Sequence, residues 1–380
     1  MTDDLPNNPA LLPSGLRDLL PPEAEVEAMA VASLMEVFAS HGYERVKPPL
    51  IEFEDSLFTG SGAAVAEQTF RLMDPDSQRM MGVRADITPQ IARIATTRLA
   101  NAPRPLRLSY FGECLRVRGG QLAPDRQIAQ AGIELIGSAS SAADAEIVLL
   151  GAEALAALGV HHASFDLTLP TLAPALIEHA GIEGLARNGL ARALDRKDAV
   201  SVARHGGRLA GVLTDLLHAA GPADRALAAL QSASLPQAVR ILADQAAETI
   251  AAIRIRAPGL RLTLDPVEFR GFRYHTGVAV TIYAPGRYKE LGRGGRYLCG
   301  EAEAATGLTL YPDVILQAAP APKARPRVFV PAGTEQAAAA SLRGQGYATV
   351  ASLDGEADPE SEAARLRCDY IIREGAAVKL

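Results

Sequence analysis

Between residues 171 and 258 the chain turns Ala- and Leu-rich, with apolar residues at helical spacing and few strand signals. The sequence on both sides of that block is rich in strand-like runs. A sheet built from the two flanks must close around a helical insertion, which predicts an α+β fold. The strand candidates are residues 43–52, 69–73, 79–84, 107–117, 127–136 and 279–283, and the helix candidates are 87–99 and 142–158. Pro48-Pro49 confines the first run to an edge, a strand end or an interface, because proline cannot donate to a ladder. Ahead of it, Pro21-Pro22 with Glu23 and Glu25 makes a helix start, with acids facing the positive end of the dipole. Val26, Ala30, Leu34, Val37 and Phe38 then recur at helical spacing, and Gly42 closes that helix.

A length of 380 residues allows a large core and two or three domains. The formal net charge of -6 gives no general attraction to nucleic acid or to an anionic membrane. No apolar run is long enough to span a bilayer. Met1-Thr2-Asp3-Asp4 is acidic and lacks the basic and apolar regions of a secretory signal, so a cytoplasmic location is expected. Cys114, Cys299 and Cys368 are far apart, without C-x-x-C or His pairing, which argues against a disulfide framework and a zinc site. His161-His162 has no third ligand at useful spacing, Gly292–Gly295 lacks the Walker pattern, and no Ser or Cys sits in a nucleophile elbow. No metal, cofactor, nucleic acid or membrane is therefore expected. Residues 319–326 alternate Ala and Pro as a stiff linker. Beyond it, 328–331, a helix through Leu342 and 370–372 predict a small α/β module. From Arg327 onward six Lys/Arg face eight Asp/Glu, the wrong balance for an RNA-binding surface.

Four motifs carry a resemblance. Phe111-Gly112-Glu113-Cys114-Leu115-Arg116 and Asp125-Arg126-Gln127-Ile128-Ala129-Gln130-Ala131-Gly132-Ile133-Glu134-Leu135-Ile136-Gly137 together resemble the second signature motif of histidyl-tRNA synthetases. Tyr43-Glu44-Arg45-Val46-Lys47-Pro48-Pro49-Leu50-Ile51-Glu52 resembles the first class II motif, which forms a dimer interface in that family. Arg270-Gly271-Phe272-Arg273-Tyr274-His275-Thr276-Gly277 is similar to the histidine-specific arginine-glycine-tyrosine motif. Gly292-Arg293-Gly294-Gly295-Arg296-Tyr297 is similar to the glycine-rich pocket floor. The matches fall in the family's order over roughly residues 10 to 318. They imply a class II synthetase-like antiparallel sheet flanked by helices, made of residues 1–170 and 259–318. The helical insertion is then 171–258, the linker 319–326, and 327–380 a truncated module like the anticodon-binding domain.

The resemblance also implies a histidine site. Asp86, Thr88 and Gln130, all able to accept hydrogen bonds, would hold the α-ammonium. Glu134 and Tyr297 would read the imidazole, and Arg116 and Arg270 would meet the carboxylate. Tyr274 and His275 complete the set, His275 standing where the family has a tyrosine that touches the imidazole.

The nucleotide end departs from the family. Arg118 stands where a glutamate would accept from adenine, and arginine has only donors. Residues 306–316 contain no Lys or Arg to hold a γ-phosphate, and Asp313 would repel one. Arg273 replaces an expected aspartate. An amino-acid grip without an ATP grip resembles the regulatory subunits of ATP phosphoribosyltransferase, synthetase paralogues of the first step of histidine biosynthesis. That resemblance implies a non-catalytic protein with L-histidine as ligand. Its partner would be a short-form catalytic subunit, and it would form a homodimer within a hetero-octamer. A working histidyl-tRNA synthetase and a free-standing histidine-binding scaffold are the alternatives.

Overall fold

The computed structural model describes residues 10–120, 124–269, 274–300, 302–320, 324–353, 355 and 358–380. Two compact units result, Met1–Pro320 and Ala321–Leu380. The strands of the first unit are β1 (Glu44–Arg45), β2 (Ile51–Phe53), β3 (Phe70–Met73), β4 (Met80–Val83), β5 (Leu106–Leu115), β6 (Gln127–Ile136), β7 (Ser164–Thr168), β8 (Gly221–Pro222), β9 (Arg261–Asp265), β10 (His275–Tyr283), β11 (Gly292–Cys299) and β12 (Glu303–Leu310). Nine of them form one sheet in the order β1-β5-β6-β12-β11-β10-β7-β9-β8, and β2-β4-β3 form a second, small sheet. Pairing in the large sheet is antiparallel except at β1–β5 and β7–β9.

The run 43–52 is not one strand. It leaves the edge of the large sheet after Arg45 and re-enters structure at Ile51, in the small sheet. Pro48 and Pro49 make the crossing, and their carbonyls accept from Arg84 Nη1 at 3.2 Å and Gln90 Nε2 at 2.8 Å. Proline lacks a ladder donor but keeps its acceptor, so the crossing is anchored by side chains. β10 begins at His275, earlier than the sequence suggests. β11 and β12 were not foreseen at all, because glycines dilute their strand signal.

The helix Glu23–Ser40 buries Ala30, Val31, Leu34, Met35 and Phe38, and Gly42 takes φ +78° just beyond its end. Thr88–Thr96 is shorter than the periodicity implied, and Ser141–Ala157 is capped by the Ser140 hydroxyl, which accepts from Ala142 N at 3.2 Å. Six α-helices follow between Leu172 and Arg256, the last being Gln237–Arg256. Their buried Leu176, Leu190, Leu213, Leu230 and Ile250 join Phe165, Val280 and Leu308 of the sheet in one cluster. Each such side chain contributes about 1.5–3 kcal/mol by leaving water. The insertion is thus packed into the core that holds the sheet. Among the described residues no helix is long and apolar enough to cross a membrane.

β11 sends its side chains alternately to two faces. Arg296 goes to the helix-covered face, where Nε and Nη2 meet Asp144 at 3.0 Å and the Ser138 and Ser140 carbonyls accept at 2.8 Å. Tyr297 goes to the other face, with Gly295 and Arg293.

The second unit has strands β13 (Arg327–Val330), β14 (Ala348–Ala351), β15 (Tyr370–Arg373) and β16 (Ala376–Lys379), in the order β14-β13-β15-β16. Its helices are Gln336–Gly344 and Pro359–Arg365. Alternation along β13 puts Val328 and Val330 in one apolar cluster with Leu342, and Phe329 in another with Ala363.

Candidate functional site

Glu134 lies on β6, an interior strand of the large sheet, opposite Gly307 of β12, and is 1% exposed. Three hydroxyls surround its carboxyl group. Tyr297 OH donates to Oε2 at 2.9 Å, Thr88 Oγ1 to Oε1 at 3.0 Å, and Tyr110 OH to Oε1 at 3.5 Å. A second link from Tyr110 OH to Thr309 Oγ1, at 2.7 Å, carries the network onto β12. The carboxyl lies over the backbone of Gly307, where a Cβ would come within 1.8 Å of Oε2. Burial pushes Glu134 up to about 8, against the pull of the Tyr297 and Thr88 hydroxyls.

Asp86 precedes the helix Thr88–Thr96, and its Oδ1 accepts from Thr88 N at 2.9 Å. That bond fixes the Thr88 backbone while its hydroxyl serves Glu134. Tyr274 stacks on His275 at 4.4 Å between ring centroids and meets Tyr297 edge-on at 6.1 Å. Burial and the charge of Arg293 push His275 down to about 3, so its imidazole is neutral near pH 7. Asp86, Thr88, Glu134, Tyr274, His275 and Tyr297 all line one cleft, joined by Arg293, Thr309 and Tyr311. Its volume is about 20 Å³, a little above the roughly 10–15 Å³ that one water needs, so the cleft is narrow but not filled by its own side chains.

The other expected site residues are placed differently. Gln130 is fully buried, and its Oε1 accepts from Ile87 N at 3.0 Å and from Cys114 Sγ at 3.3 Å. Its acceptor is therefore committed to the backbone, and its Nε2, a donor, is buried without a hydrogen-bond partner among the described residues. Arg116 lines a neighbouring cavity of about 650 Å³, with its Nε likewise buried and unpartnered among the described residues. Arg270 and Arg273 lie outside the described residues. Arg293, Tyr110, Thr309 and Tyr311 were missed by the sequence reading. For Arg293 a signal existed, since it stands two and four residues before Gly295 and Tyr297 and shares their face of a strand.

The larger cavity is acidic. Three of its bases already have partners: Arg17 pairs with Glu23 at 2.7 Å, Lys289 with Asp125 at 3.2 Å, and Arg293 with Glu290 at 3.2 Å. Glu27, Glu113 and Asp313 also line it. Burial, then the neighbouring Asp313, pushes Glu27 up to about 7, and burial with Asp313 raises Glu113 too. The helix Pro312–Ala318 carries Asp313 in its first turn and no Lys or Arg, and Arg118 is exposed to solvent. Among the described residues no group of three or more His, Cys, Asp or Glu is arranged to hold a metal ion.

Comparison with known proteins places this geometry. A protein of Gluconobacter oxydans named ATP phosphoribosyltransferase regulatory subunit is 55% identical over 97% of each chain. One of the same name from Paramagnetospirillum magneticum is 56% identical over 96% of each. The chain belongs to their family. The histidyl-tRNA synthetase family model matches residues 15–315, as the paralogy of regulatory subunits and synthetases leads one to expect. The fold agrees with a solved Bacillus halodurans structure titled as an ATP phosphoribosyltransferase regulatory subunit/histidyl-tRNA synthetase. That structure has a TM-score of 0.78 at 22% identity, over 93% of this chain and 96% of that one. A Nostoc histidyl-tRNA synthetase superimposes with a TM-score of 0.79 at 17% identity, over 97% of this chain and 96% of that one. The class II synthetase-like sheet inferred from the motifs is therefore the fold of this regulatory-subunit family member.

Proposed function

We propose that this chain is the regulatory subunit of an ATP phosphoribosyltransferase. In this reading it serves the first step of histidine biosynthesis through contact with a short-form catalytic subunit and contributes no catalytic group. The observation that carries the reading is the 55% identity over 97% of both chains to a protein of that name. The cavities support it. The cleft keeps hydrogen-bonding groups suited to a small zwitterion, while the cavity beside it holds Glu27, Glu113 and Asp313, which would repel a triphosphate.

Histidine is the feedback ligand in this reading. Binding would bias the complex between active and inactive arrangements, by as much as its affinities for the two states differ. Feedback near ~0.1 mM histidine needs only about -5.5 kcal/mol, within reach of a few charge-assisted hydrogen bonds.

The chain first forms a homodimer, the unit from which the family's hetero-octamer is assembled. Ile51 and Phe53 of β2 stand opposite Val83 and Met81 of β4, which in turn face Phe70 and Leu72 of β3. Directly paired residues share a face, so these six apolar side chains form one surface, and none of them is buried. The Arg79 guanidinium lies 3.7 Å from the Phe53 ring centroid and that of Arg126 5.0 Å from Phe70. A second copy of the chain is the occupant that fits this surface, since two-fold dimers are the commonest assembly.

The test is reconstitution. Added to a short catalytic subunit, the protein should raise phosphoribosyl-ATP formation until the gain saturates at a fixed subunit ratio. Light scattering should show a dimer alone and a larger species with the partner. The protein alone should not support histidine-dependent ATP–pyrophosphate exchange. Exchange at ordinary enzyme turnover, ~1–1000 per second, would sink the regulatory reading. So would a protein that leaves the partner's rate and mass unchanged.

A further inference from the structure

Arg293 is the point where three cavities meet. It lines the amino-acid cleft, the cavity of about 650 Å³ beside it, and a third of about 400 Å³ floored by Thr168, Thr263 and Thr281. Among the described residues that line the cleft, it carries the one positive charge. The remaining ionisable groups there are the carboxyls of Asp86 and Glu134, the phenols of Tyr274, Tyr297 and Tyr311, and the neutral imidazole of His275. Its field reaches three of those walls, lowering the affinity of His275, Tyr274 and Tyr311 for a proton.

The polarity of the cleft is therefore ordered. Asp86 and Thr88 supply acceptors at the start of a helix, and Glu134 with Tyr297 forms the floor. The guanidinium stands where the cleft opens into the larger cavities. The cleft itself is narrow, and Arg293 lines both it and the cavity of about 650 Å³, so a ligand that puts its ring against the floor has room for its charged end beside that guanidinium. Of Arg116 and Arg270, the two residues that the resemblance suggests for the carboxylate, Arg116 lines the 650 Å³ cavity and not the cleft, and Arg270 lies outside the described residues.

We infer that Arg293 reads the carboxylate of the amino-acid ligand and thereby sets the preference for an α-amino acid over the corresponding decarboxylated amine. The inference rests on the reading that the cleft takes histidine. Glu290 approaches Arg293 at Nε and Nη2, at 3.2 Å and 3.4 Å. A guanidinium has five N–H groups and can serve a second carboxylate while keeping the first. Glu290 also offsets the charge while the cleft holds no anion, so the guanidinium is held in place before the ligand arrives.

The experiment compares histidine with histamine, which keeps the imidazole and the amine and lacks the carboxylate. Calorimetry on the full-length protein should give wild type a preference for histidine on the order of 10- to 100-fold, the scale of a charge-assisted pair. Arg293→Gln should bring histidine down to the affinity of histamine and leave histamine within about twofold. Arg293→Lys, which keeps the charge without the fork, should retain part of the preference. If Arg293→Gln keeps the full preference and Arg116→Gln abolishes it, the assignment to Arg293 is overturned while histidine binding stands. Wild type that gives no heat with millimolar histidine or histamine would overturn the histidine reading and the assignment with it. Should Arg293→Gln lose its fold because Glu290 is left unpaired, Glu290→Gln/Arg293→Gln carries the same test.

Discussion

Replacing Gly307 by alanine should damage the cleft through one contact. Gly307 sits in strand β12 with φ outside the left-handed region, so alanine strains no backbone angle there. What the new methyl meets is Glu134: Oε2 at 1.8 Å, Cδ at 2.4 Å and Oε1 at 2.8 Å. An ordinary carbon–oxygen contact is ~3.3 Å, so the carboxyl must move by about 1.5 Å. That breaks the 2.9 Å bond from Tyr297 and disturbs those from Thr88 and Tyr110. Overpacking costs ~1–3 kcal/mol and each of the three weakened hydrogen bonds ~0.5–1.5 kcal/mol, for a total of about 2.5–7.5 kcal/mol. With ~2.1 cal/mol/K of unfolding entropy per residue over roughly 310 residues, the Tm of the first unit should fall by about 4–12 °C. Calorimetric scans of wild type, Gly307→Ala, Glu134→Ala and the double variant measure it. In the Glu134→Ala background the second substitution should cost under ~1 kcal/mol, since its collision partner is gone. Equal cost in both backgrounds would refute the reasoning.

Two other expectations concern charge. The folded state holds the Glu134 proton up to about 8, against an ordinary 4.5, so the stability this group contributes is whole below its ordinary value and is lost as pH rises through about 8. Wild-type Tm should therefore decline between pH 5 and 8.5, with Glu27 contributing through about 7, and Glu134→Gln should flatten much of that slope. His275 acts in the opposite sense, its contribution being lost as pH falls from the usual range towards 3. Asp144→Ala should cost ~3–5 kcal/mol by leaving Arg296 buried and unpaired, whereas Asp144→Leu/Arg296→Met should recover most of it; urea unfolding of both variants decides.

How far the fold could be read beforehand depended on what each strand is made of. β5 and β6 are long and announce themselves, β5 through its Leu, Tyr and Phe and β6 through its three isoleucines, and with them came Glu134 at the centre of the site. β11 and β12 are hidden by glycine, which has poor strand propensity on its own. Its use there is tertiary: a Cβ at Gly294 would lie 2.0 Å from the Gly307 carbonyl, and one at Gly307 would strike Glu134. No local pattern reveals a contact between strands. Gln130 illustrates a second limit. Its place in the motif names it a ligand group, yet its oxygen is taken by the Ile87 amide, a choice set by where the chain turns before the helix. The run 43–52 reads as one strand because strand-like residues stand on both sides of Pro48-Pro49, while the break comes from the crossing those prolines make between two sheets.

The position of β12 between β6 and β11 imposes a schedule on synthesis. β6 is complete at Ile136, but its neighbour on that side is made only when Leu310 has been added. At ~5–20 residues per second the intervening chain takes roughly 10–35 s. Throughout that interval a ten-residue, largely apolar strand has one edge without its partner, and the six helices of the insertion are emerging meanwhile. An unpaired edge of this kind is a template for pairing with other chains. The newborn protein is therefore most exposed to aggregation until about its last fifth remains to be made, and chaperone demand should fall sharply once β12 has left the ribosome.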